Sequence, residues 1–408
     1  MAADTALDTP VPRPAVRPSS GWRTDIQGLR AVAVGLVIAA HLGLPHLAGG
    51  FVGVDVFFVL SGFLITTLLL READRTGRVS ISQFYVRRAR RILPAATLVI
   101  MAVLAFAALR LPTTQVTDSA NDGAWAAFFL ANVHFAQAGV DYFNQSGTSL
   151  FQHYWSLSVE EQFYLVWPVL ALVVAARFGR RWFAVVAGVG AVASLGWSVY
   201  LTAHEPAAAY FSTPARAFEL AAGALLACWI GASGRTLARP WALASAGLGV
   251  VLLAAATLEF TDSTPFPGVD ALVPVVGTVA LLAAGPATPV GRLLSLPPMR
   301  YVGDISYSLY LWHWPLIVLA PHLIPDFDHD LRRRALAVLI AVALAALSHR
   351  FVEVPFQARR VRLVSGGLRP LLLWPLGLLL AVGSGWASTA WAGHADQERK
   401  DDARAWFA

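Results

Sequence analysis

Charge is scarce in this sequence, since only 14% of the 408 residues are Asp, Glu, Lys or Arg, about half the usual share in soluble proteins. Apolar residues make up 57%, and the mean hydropathy is +0.58. A disordered chain is excluded, because disorder needs low hydrophobicity and high net charge. Cys228 is the only cysteine, which excludes an intrachain disulfide and a Cys-x-x-Cys metal motif. We expect it to be a small buried side chain.

Lysine is also scarce, because Lys400 is the only one among 31 basic residues. The net charge of +6 would favour a nucleic-acid partner if it formed a stripe on a soluble domain. Here the arginines lie in connections between apolar segments, where positive charge usually indicates orientation in a membrane. We therefore expect a lipid bilayer around the chain and no nucleic-acid partner.

Apolar segments close to the length of a bilayer span recur along the chain and predict an all-α polytopic membrane protein. The eleven predicted spans are 29–44, 51–70, 92–111, 159–176, 183–201, 215–230, 241–258, 269–284, 301–323, 335–349 and 371–391. Residues 1–28 lack the apolar core of a cleavable signal and are expected to form a disordered cytoplasmic tail. Residues 123–135 are apolar but too short to cross, so they are expected to dip into the membrane or lie at its interface.

The arginines predict the orientation of these spans, because cytoplasmic connections carry the excess of positive charge. With the N-terminus inside, the arginines of 71–91, 177–181, 235–239, 292–300 and 359–369 all lie in inner connections. Arg332, Arg333 and Arg334 disagree with this orientation. The main domain is predicted at 29–357, followed by a basic cytoplasmic linker at 358–370, the eleventh span at 371–391 and an extracytoplasmic tail at 392–408.

The first two spans carry ionisable residues near one end, and such residues inside a membrane are costly enough to suggest function. Arg30 and His41 are eleven residues apart, about 16 Å of rise and three turns, so they share one helix face. Asp55 follows a short connection and is predicted at a depth similar to that of His41. A histidine with a carboxylate can act as a general base. The alternatives are an interfacial histidine and a structural ion pair.

Spans three and four each begin with a charged group. Arg88 and Arg91 share a helix face at the predicted inner end of span three, where they either anchor the helix or bind phosphate. Glu160 and Glu161 open span four at the predicted outer side. Ser158 and Glu161 also fit a capping box, which would explain Glu161 by helix initiation alone.

Two further groups lie in later spans. Arg216 and Glu219 are three residues apart and are expected to pair. An aromatic-rich stretch in span nine carries Ser306 and His313, although aromatic residues at helical spacing usually serve packing or the membrane interface. The sequence has no metal-protease, nucleophile-elbow or phosphate-loop motif, and its histidines are not spaced as metal ligands, so no metal site is predicted.

Taken in order, these motifs resemble the acyltransferase-3 family of integral membrane acyltransferases, over about residues 25–356. The resemblance rests on Asp25-Ile-Gln-Gly-Leu-Arg30 with His41, Gly53-Val-Asp-Val-Phe-Phe-Val-Leu-Ser-Gly-Phe-Leu64, Arg87-Arg-Ala-Arg-Arg-Ile-Leu-Pro94, Trp155-Ser-Leu-Ser-Val-Glu-Glu-Gln-Phe-Tyr164, Arg216 with Glu219, Gly303-Asp-Ile-Ser-Tyr-Ser-Leu-Tyr-Leu-Trp-His-Trp-Pro315 and Arg350-Phe-Val-Glu-Val-Pro355. It implies a bundle of about ten helices, to which the sequence adds an eleventh.

The family resemblance implies transfer of a short acyl group, most often acetyl, from cytoplasmic acyl-CoA to a hydroxyl of an extracytoplasmic carbohydrate or glycolipid in the bacterial cell envelope. The expected site residues form three groups. The catalytic group is His41, Asp55 and Glu160; the donor-binding group is Arg30, Arg88, Arg91 and Ser306; the acceptor-binding group is Glu161, Arg216, Glu219 and His313. Direct transfer with His41 as the base and a relay through an acyl-enzyme are both open.

Other members of this family carry a C-terminal hydrolase-like domain of the SGNH type, and the expected partners therefore include such a domain or a second copy of the chain. Alternative functions are a transporter or flippase of an envelope precursor, and acylation of a small natural product. Buried charges also mark transport paths, but no repeat between the two halves supports a transporter.

Overall fold

The computed structural model describes residues 23–143, 148–233, 236–324, 327, 330–361 and 366–407. Most of the predicted N-terminal tail lies outside these residues. The α-helices are α1 (Thr24–His41), α2 (Gly53–Thr76), α3 (Ile81–Arg110), α4 (Thr113–Ala127), α5 (Ala131–Gln137), α6 (Tyr154–Phe178), α7 (Arg180–His204), α8 (Pro206–Phe211), α9 (Thr213–Ser233), α10 (Arg239–Glu259), α11 (Leu272–Ala284), α12 (Pro289–Leu294), α13 (Pro297–Leu323), α14 (Leu331–Ser348), α15 (Val354–Gln357) and α16 (Leu373–Phe407). Short 3₁₀ turns lie at Ala48–Val52 and Arg369–Leu372, and a π-helical turn at His349–Glu353.

A helix lies at each of the eleven predicted spans, and the described residues contain no β-strand. Seven apolar helical segments of the described chain are long enough to cross a membrane, and α11 is a shorter apolar helix of 13 residues. Large apolar side chains on the outside of α7 and α16, such as Val192 and Leu379, are exposed. Lipid is the solvent that accommodates such faces. The chain is therefore an all-α polytopic membrane protein.

Two predicted segments have a different form in the structure. Residues 123–135 are divided between two helices, because α4 ends before Phe129, which has a left-handed backbone (φ 55°), and α5 then begins. The predicted polar tail after residue 391 continues α16 as far as Phe407. An ion pair of 2.7 Å between Asp396 and Lys400, four residues apart, supports this extension.

Helices α1 and α13 lie close together near their N-termini, because glycine removes the side chain at each contact. A Cβ atom on Gly303 would lie 1.9 Å from the carbonyl oxygen of Gln27, and one on Gly28 would lie 1.9 Å from that of Leu294, the last residue of α12, which precedes α13. Both helices then run in the same direction towards their C-terminal halves. This parallel packing brings residues of α1 and α13 together along most of the length of α1.

Helices α2 and α9 form a second closely packed pair. A Cβ atom on Gly62 would lie 1.8 Å from the carbonyl oxygen of Leu220, and one on Gly223 would lie 2.0 Å from that of Val59. Backbones that approach this closely leave room only for glycine. The pair therefore fixes how the N-terminal turns of α2 and α9 face each other.

The three arginines that disagree with the predicted orientation are held by local contacts at the start of α14. Asp330 caps the helix, because its carboxylate accepts from the backbone N–H of Arg332 at 2.8 Å, and it also pairs with Arg333 at 3.3 Å. Arg334 donates to the carbonyl oxygen of Leu42 at 2.7 Å, beside the C-terminus of α1. A cation is stabilised at a helix C-terminus, as Arg334 is at the end of α1. These arginines therefore have a structural role, which a count of positive charges in each connection does not consider.

Candidate functional site

The C-terminal residue of α1, His41, is paired with another histidine, His313 of α13. Nδ1 of His41 lies 3.0 Å from Nε2 of His313, and the two rings are nearly parallel. Nδ1 of His313 lies 2.6 Å from the carbonyl oxygen of Tyr310. A carbonyl oxygen only accepts, so Nδ1 of His313 carries a proton and its Nε2 is the acceptor in the neutral ring. His41 therefore donates through Nδ1 and keeps the lone pair of Nε2.

That lone pair accepts a hydrogen bond from a hydroxyl group. The hydroxyl of Tyr142, in the connection after α5, lies 2.8 Å from Nε2 of His41. Removal of this hydroxyl from water raises the pKa of Tyr142 to about 12, so it stays protonated near neutral pH and donates. His41 is half-buried and His313 is buried. The base nitrogen thus lies at the more accessible end of the pair.

The third histidine nearby is His153, which directly precedes α6. It is buried, its Nε2 donates to the carbonyl oxygen of Leu311 at 3.1 Å, and its ring centroid lies 5.9 Å from that of His313. Burial lowers the pKa of His153 well below its ordinary value. The described residues contain no group of His, Cys, Asp or Glu arranged to hold a metal ion.

The predicted pairing of His41 with Asp55 is wrong. Asp55 is fully buried, and its Oδ1 lies 3.3 Å from Nη2 of Arg216. The reason is the glycine-mediated contact of α2 with α9, which places Asp55 beside Arg216. The tautomer of His41 is set by His313 instead, so His313 has the role that was predicted for the carboxylate of Asp55.

The predicted pair of Arg216 and Glu219 does form, with 3.0 Å between Nε and Oε1. Both side chains are fully buried. The guanidinium also lies 5.1 to 5.6 Å from the ring centroids of Phe58, Trp155, Tyr210 and Phe266. Neither residue lines the large cavity described below. In the described part of the chain, an acceptor therefore has no open path to Arg216 or Glu219, and the predicted acceptor-binding role would require one. Together with Asp55, these two residues form a buried ion network between α2 and α9.

A cavity of about 430 Å³ lies among α1, α2, α3, α6 and α13. Its charged lining residues are Arg30, Arg87, Arg88, Arg90, Arg91, Arg359, Glu160 and Glu161. The rest of the wall is mainly apolar and aromatic, as is usual for sites that bind a ligand with a long apolar part. The four residues of the predicted donor-binding group, Arg30, Arg88, Arg91 and Ser306, all line this one cavity.

Arg88 is bound to carboxylates and is not an open anion ligand. It lies 3.3 Å from Glu160 and 3.0 Å from Glu161, and its guanidinium lies 3.6 Å from the ring centroid of Tyr164. Glu160 also accepts hydrogen bonds from Tyr164 and from Ser61. Both glutamates therefore line the same cavity as the arginines.

The sequence placed these glutamates on the opposite side from Arg88, and that placement is wrong. The reason is that α6 begins at Tyr154, which is fully buried, so the helix starts inside the bundle. Six residues later, about 9 Å along the axis, Glu160 meets Arg88. The proposed capping box is absent as well, because Ser158 lies inside α6 and donates to the carbonyl oxygen of Tyr154.

Ser306 and Tyr310 form the end of the cavity nearest the histidines. Ser306 is fully buried, and its hydroxyl makes no hydrogen bond with the described residues. Tyr310 lines the cavity, and its hydroxyl lies 2.7 Å from that of Ser156. Its backbone oxygen is the one that accepts from His313. Tyr310 thus separates the basic cavity from the imidazole pair and contacts both.

The sequence did not identify Tyr142, Tyr310 or Arg359 as site residues. Tyr142 lies in a long connection without a recognisable motif, and Tyr310 is one of several aromatic residues at helical spacing that resemble packing. Arg359 was counted with the orienting arginines of the basic linker. A signal for Arg359 was present, because it lies four residues after the last family-like motif.

Comparison with known proteins gives a consistent picture. A family profile described as an acyltransferase domain matches residues 23–350. Peptidoglycan O-acetyltransferase OatA of Listeria monocytogenes is 33% identical over 354 residues, which cover 84% of this chain and 57% of that protein. O-acetyltransferase OatA of Staphylococcus aureus is 30% identical over 351 residues, which cover 84% of this chain and 58% of that protein. The chain thus spans less than two thirds of these relatives. No solved structure matches it significantly.

Proposed function

The chain belongs to the acyltransferase-3 family, and from this we propose that it is a bacterial membrane O-acyltransferase that transfers an acetyl group from cytoplasmic acetyl-CoA to a hydroxyl of peptidoglycan or a related envelope carbohydrate. The names of its relatives, which are O-acetyltransferases and in one case a peptidoglycan O-acetyltransferase, support the acceptor class. We infer that the N-terminus is cytoplasmic and the C-terminus extracytoplasmic, which directs the cavity end of α1 to the cytoplasm and His41 outwards.

One observation carries this proposal: α1 bears Arg30 in the basic cavity and His41 in the imidazole pair. The two residues are about 16 Å apart along the helix. One end therefore offers guanidinium groups, which suit phosphate oxygens, and the other offers a base beside a hydroxyl-binding position. A donor with phosphates and a long arm fits this arrangement, because the arm can extend between the two ends.

The fit to acyl-CoA can be tested on the residues of the cavity. Six arginines and two glutamates line it, and both glutamates contact Arg88. The remaining guanidinium groups leave the cavity strongly positive, as an anionic donor requires. The buried hydroxyl of Ser306, which has no partner among the described residues, is available to a polar group of the arm or of the acyl carbonyl. Arg30, Arg91 and Ser306 would then hold the donor.

In the proposed reaction His41 acts as the general base. Its Nε2 takes the proton of the acceptor hydroxyl while that oxygen attacks the thioester carbonyl. The C–S bond then breaks, and the imidazolium of His41 returns the proton to the departing thiolate, so that CoA leaves as a thiol. His313 is a positioning residue, because its Nε2 accepts a hydrogen bond from Nδ1–H of His41. This bond keeps the proton of His41 on Nδ1 and the lone pair on Nε2. The hydroxyl of Tyr142 occupies the position that the acceptor hydroxyl would take. The donor arm must pass Tyr310 to reach this point.

Acyl transfer from labelled acetyl-CoA tests the proposal directly. The purified protein is placed in vesicles with peptidoglycan fragments on the side opposite to the donor. We expect labelled fragments with the wild type, a loss of at least about 100-fold with His41→Ala, and wild-type labelling with His204→Ala, an exposed histidine of α7. Fragments that cross the vesicle membrane without label would indicate a transporter. Equal labelling by wild type and His41→Ala would refute the role of His41.

A further inference from the structure

The turn after α15 contributes an arginine to the cavity that neither the motifs nor the family match assigns. We propose that Arg359 completes a phosphate-binding site at the cavity mouth and contacts a phosphate group of the CoA donor. This inference rests on the proposed function, because it takes acyl-CoA as the donor. The family match ends at residue 350, so Arg359 is an addition to the matched domain.

The position of Arg359 distinguishes it from its neighbour. Arg359 and Gln357 line the cavity, whereas Arg360 is exposed and is not among the lining residues. Arg359 is itself exposed, as is Arg87 of α3, while Ser306 and Glu161 lie deeper. The exposed arginines therefore mark the mouth of the cavity, and the buried polar groups mark its inner end.

The charges at the mouth favour an anion. Arg87, Arg91 and Arg359 come from two separate segments of the chain and line the same cavity, which the buried Arg90 also lines. The two glutamates of the cavity lie against Arg88, and Arg87 contacts Glu72 at 2.9 Å. Like charges that gather in this way repel one another, and a phosphate group that they share relieves the repulsion. The diphosphate and the 3′-phosphate of CoA supply such groups, and the mouth is where they would remain when the acyl arm enters.

The backbone of Arg359 adds a second observation. Its φ angle is 59°, in the left-handed region. It ends α15 at the position after the helix cap, with its N–H donating to the carbonyl oxygen of Phe356 at 3.3 Å. Glycine is the usual residue at this position, because a side chain there is strained. An arginine in a backbone conformation that favours glycine lowers the local stability. A contact between its side chain and a ligand explains why an arginine is present there.

The test compares three variants of the full chain in nanodiscs, Arg359→Gly, Arg359→Gln and Arg360→Gln as the matched control. Binding of CoA is measured by calorimetry, and the KM for acetyl-CoA is measured separately. Loss of a charge-assisted contact is expected to weaken CoA binding about tenfold in both Arg359 variants, with an unchanged kcat. Arg360→Gln is expected to stay within about twofold. Arg359→Gly is expected to unfold at the wild-type temperature or above it, because glycine relieves the strained backbone.

Dephospho-CoA, which lacks the 3′-phosphate, identifies the phosphate that is contacted. If Arg359→Gln binds CoA and dephospho-CoA equally well where the wild type prefers CoA, the contact is to the 3′-phosphate. If both ligands weaken by the same factor, the contact is to the diphosphate, and either pattern supports the inference. Unchanged CoA binding in both Arg359 variants overturns it, as does an equal loss in Arg360→Gln. A wild type that binds no CoA would refute the proposed donor itself, which is a different result.

Discussion

Replacement of His313 tests the imidazole pair most directly. In the structure its Nε2 accepts from Nδ1 of His41 at 3.0 Å, and its own Nδ1 donates to the carbonyl oxygen of Tyr310. An asparagine at position 313 places its amide near the Nδ1 position and can still bond to that carbonyl, but it is too short to reach His41. A glutamine reaches the Nε2 position and can accept from His41.

The expected size of the effect follows from the contact that is lost. A buried donor left without its acceptor costs about 1–3 kcal/mol. In His313→Asn the proton of His41 is no longer held on Nδ1, so the catalytic tautomer loses this stabilisation. Converted at about 1.4 kcal/mol per tenfold change, kcat falls by about 5-fold to 150-fold. In His313→Gln the acceptor is restored, and we expect kcat within about tenfold of the wild type.

The assay is acetyl transfer from acetyl-CoA at saturating and limiting donor, so that kcat and KM are obtained separately. The KM for the donor should stay unchanged, because His313 does not line the donor cavity. Thermal unfolding shows whether both variants fold. Equal losses in the asparagine and glutamine variants, or a change confined to KM, would refute the view that His313 acts through the tautomer of His41.

Three other predictions follow from the packing and the charges. Gly62→Ala places a Cβ atom 1.8 Å from a backbone carbonyl of α9 and should destabilise the bundle by about 3 kcal/mol or more. The control is Gly35→Ala, whose Cβ atom would lie in open space; this variant should unfold at or above the wild-type temperature. Arg88→Ala leaves two largely buried glutamates without their cation and should cost about 3 kcal/mol of stability. Arg91→Ala should raise the KM for acetyl-CoA about tenfold at an unchanged melting temperature. A loss of stability in Arg91→Ala and a raised KM alone in Arg88→Ala would contradict the structural role of Arg88 and the donor-binding role of Arg91. Asp55→Asn should lower kcat per folded molecule by less than about tenfold, because it does not contact His41; a loss of 100-fold or more would restore Asp55 to the catalytic group.

Hydropathy alone predicts the helical architecture of this protein. Each of the eleven apolar segments lies in a helix, because a segment surrounded by lipid must satisfy its backbone hydrogen bonds internally. The boundaries are less predictable. Helix α6 begins deep in the bundle, five residues before the apolar segment, since its first turns are covered by protein rather than by lipid.

The lining of the basic cavity was also predictable to a large extent, because Arg30, Arg88, Arg91 and Ser306, which all line it, lie in motifs that resemble those of the family. The partners of His41 were not. His313 is 272 residues away, and the contact depends on the close packing of α1 and α13, which follows from carbonyl oxygens that meet glycines across the interface. Asp55 was a reasonable candidate partner of His41, because it is close to it along the chain. In the structure it pairs with the guanidinium of Arg216 in α9 instead.

Tyr310 also has a consequence for permeability. If donor and acceptor stand on opposite sides of a membrane, the protein that joins them contains two water-accessible recesses in one bundle. The side chain of Tyr310 lies where the recesses would meet, and hydrogen bonds to Ser156 and to the backbone of His153 hold it there. A path open through this point would leak protons and expose the thioester to water. In that arrangement Tyr310 would close the path between the two recesses, and the passage of an acyl group would have to open it only for the time that the arm itself fills the gap.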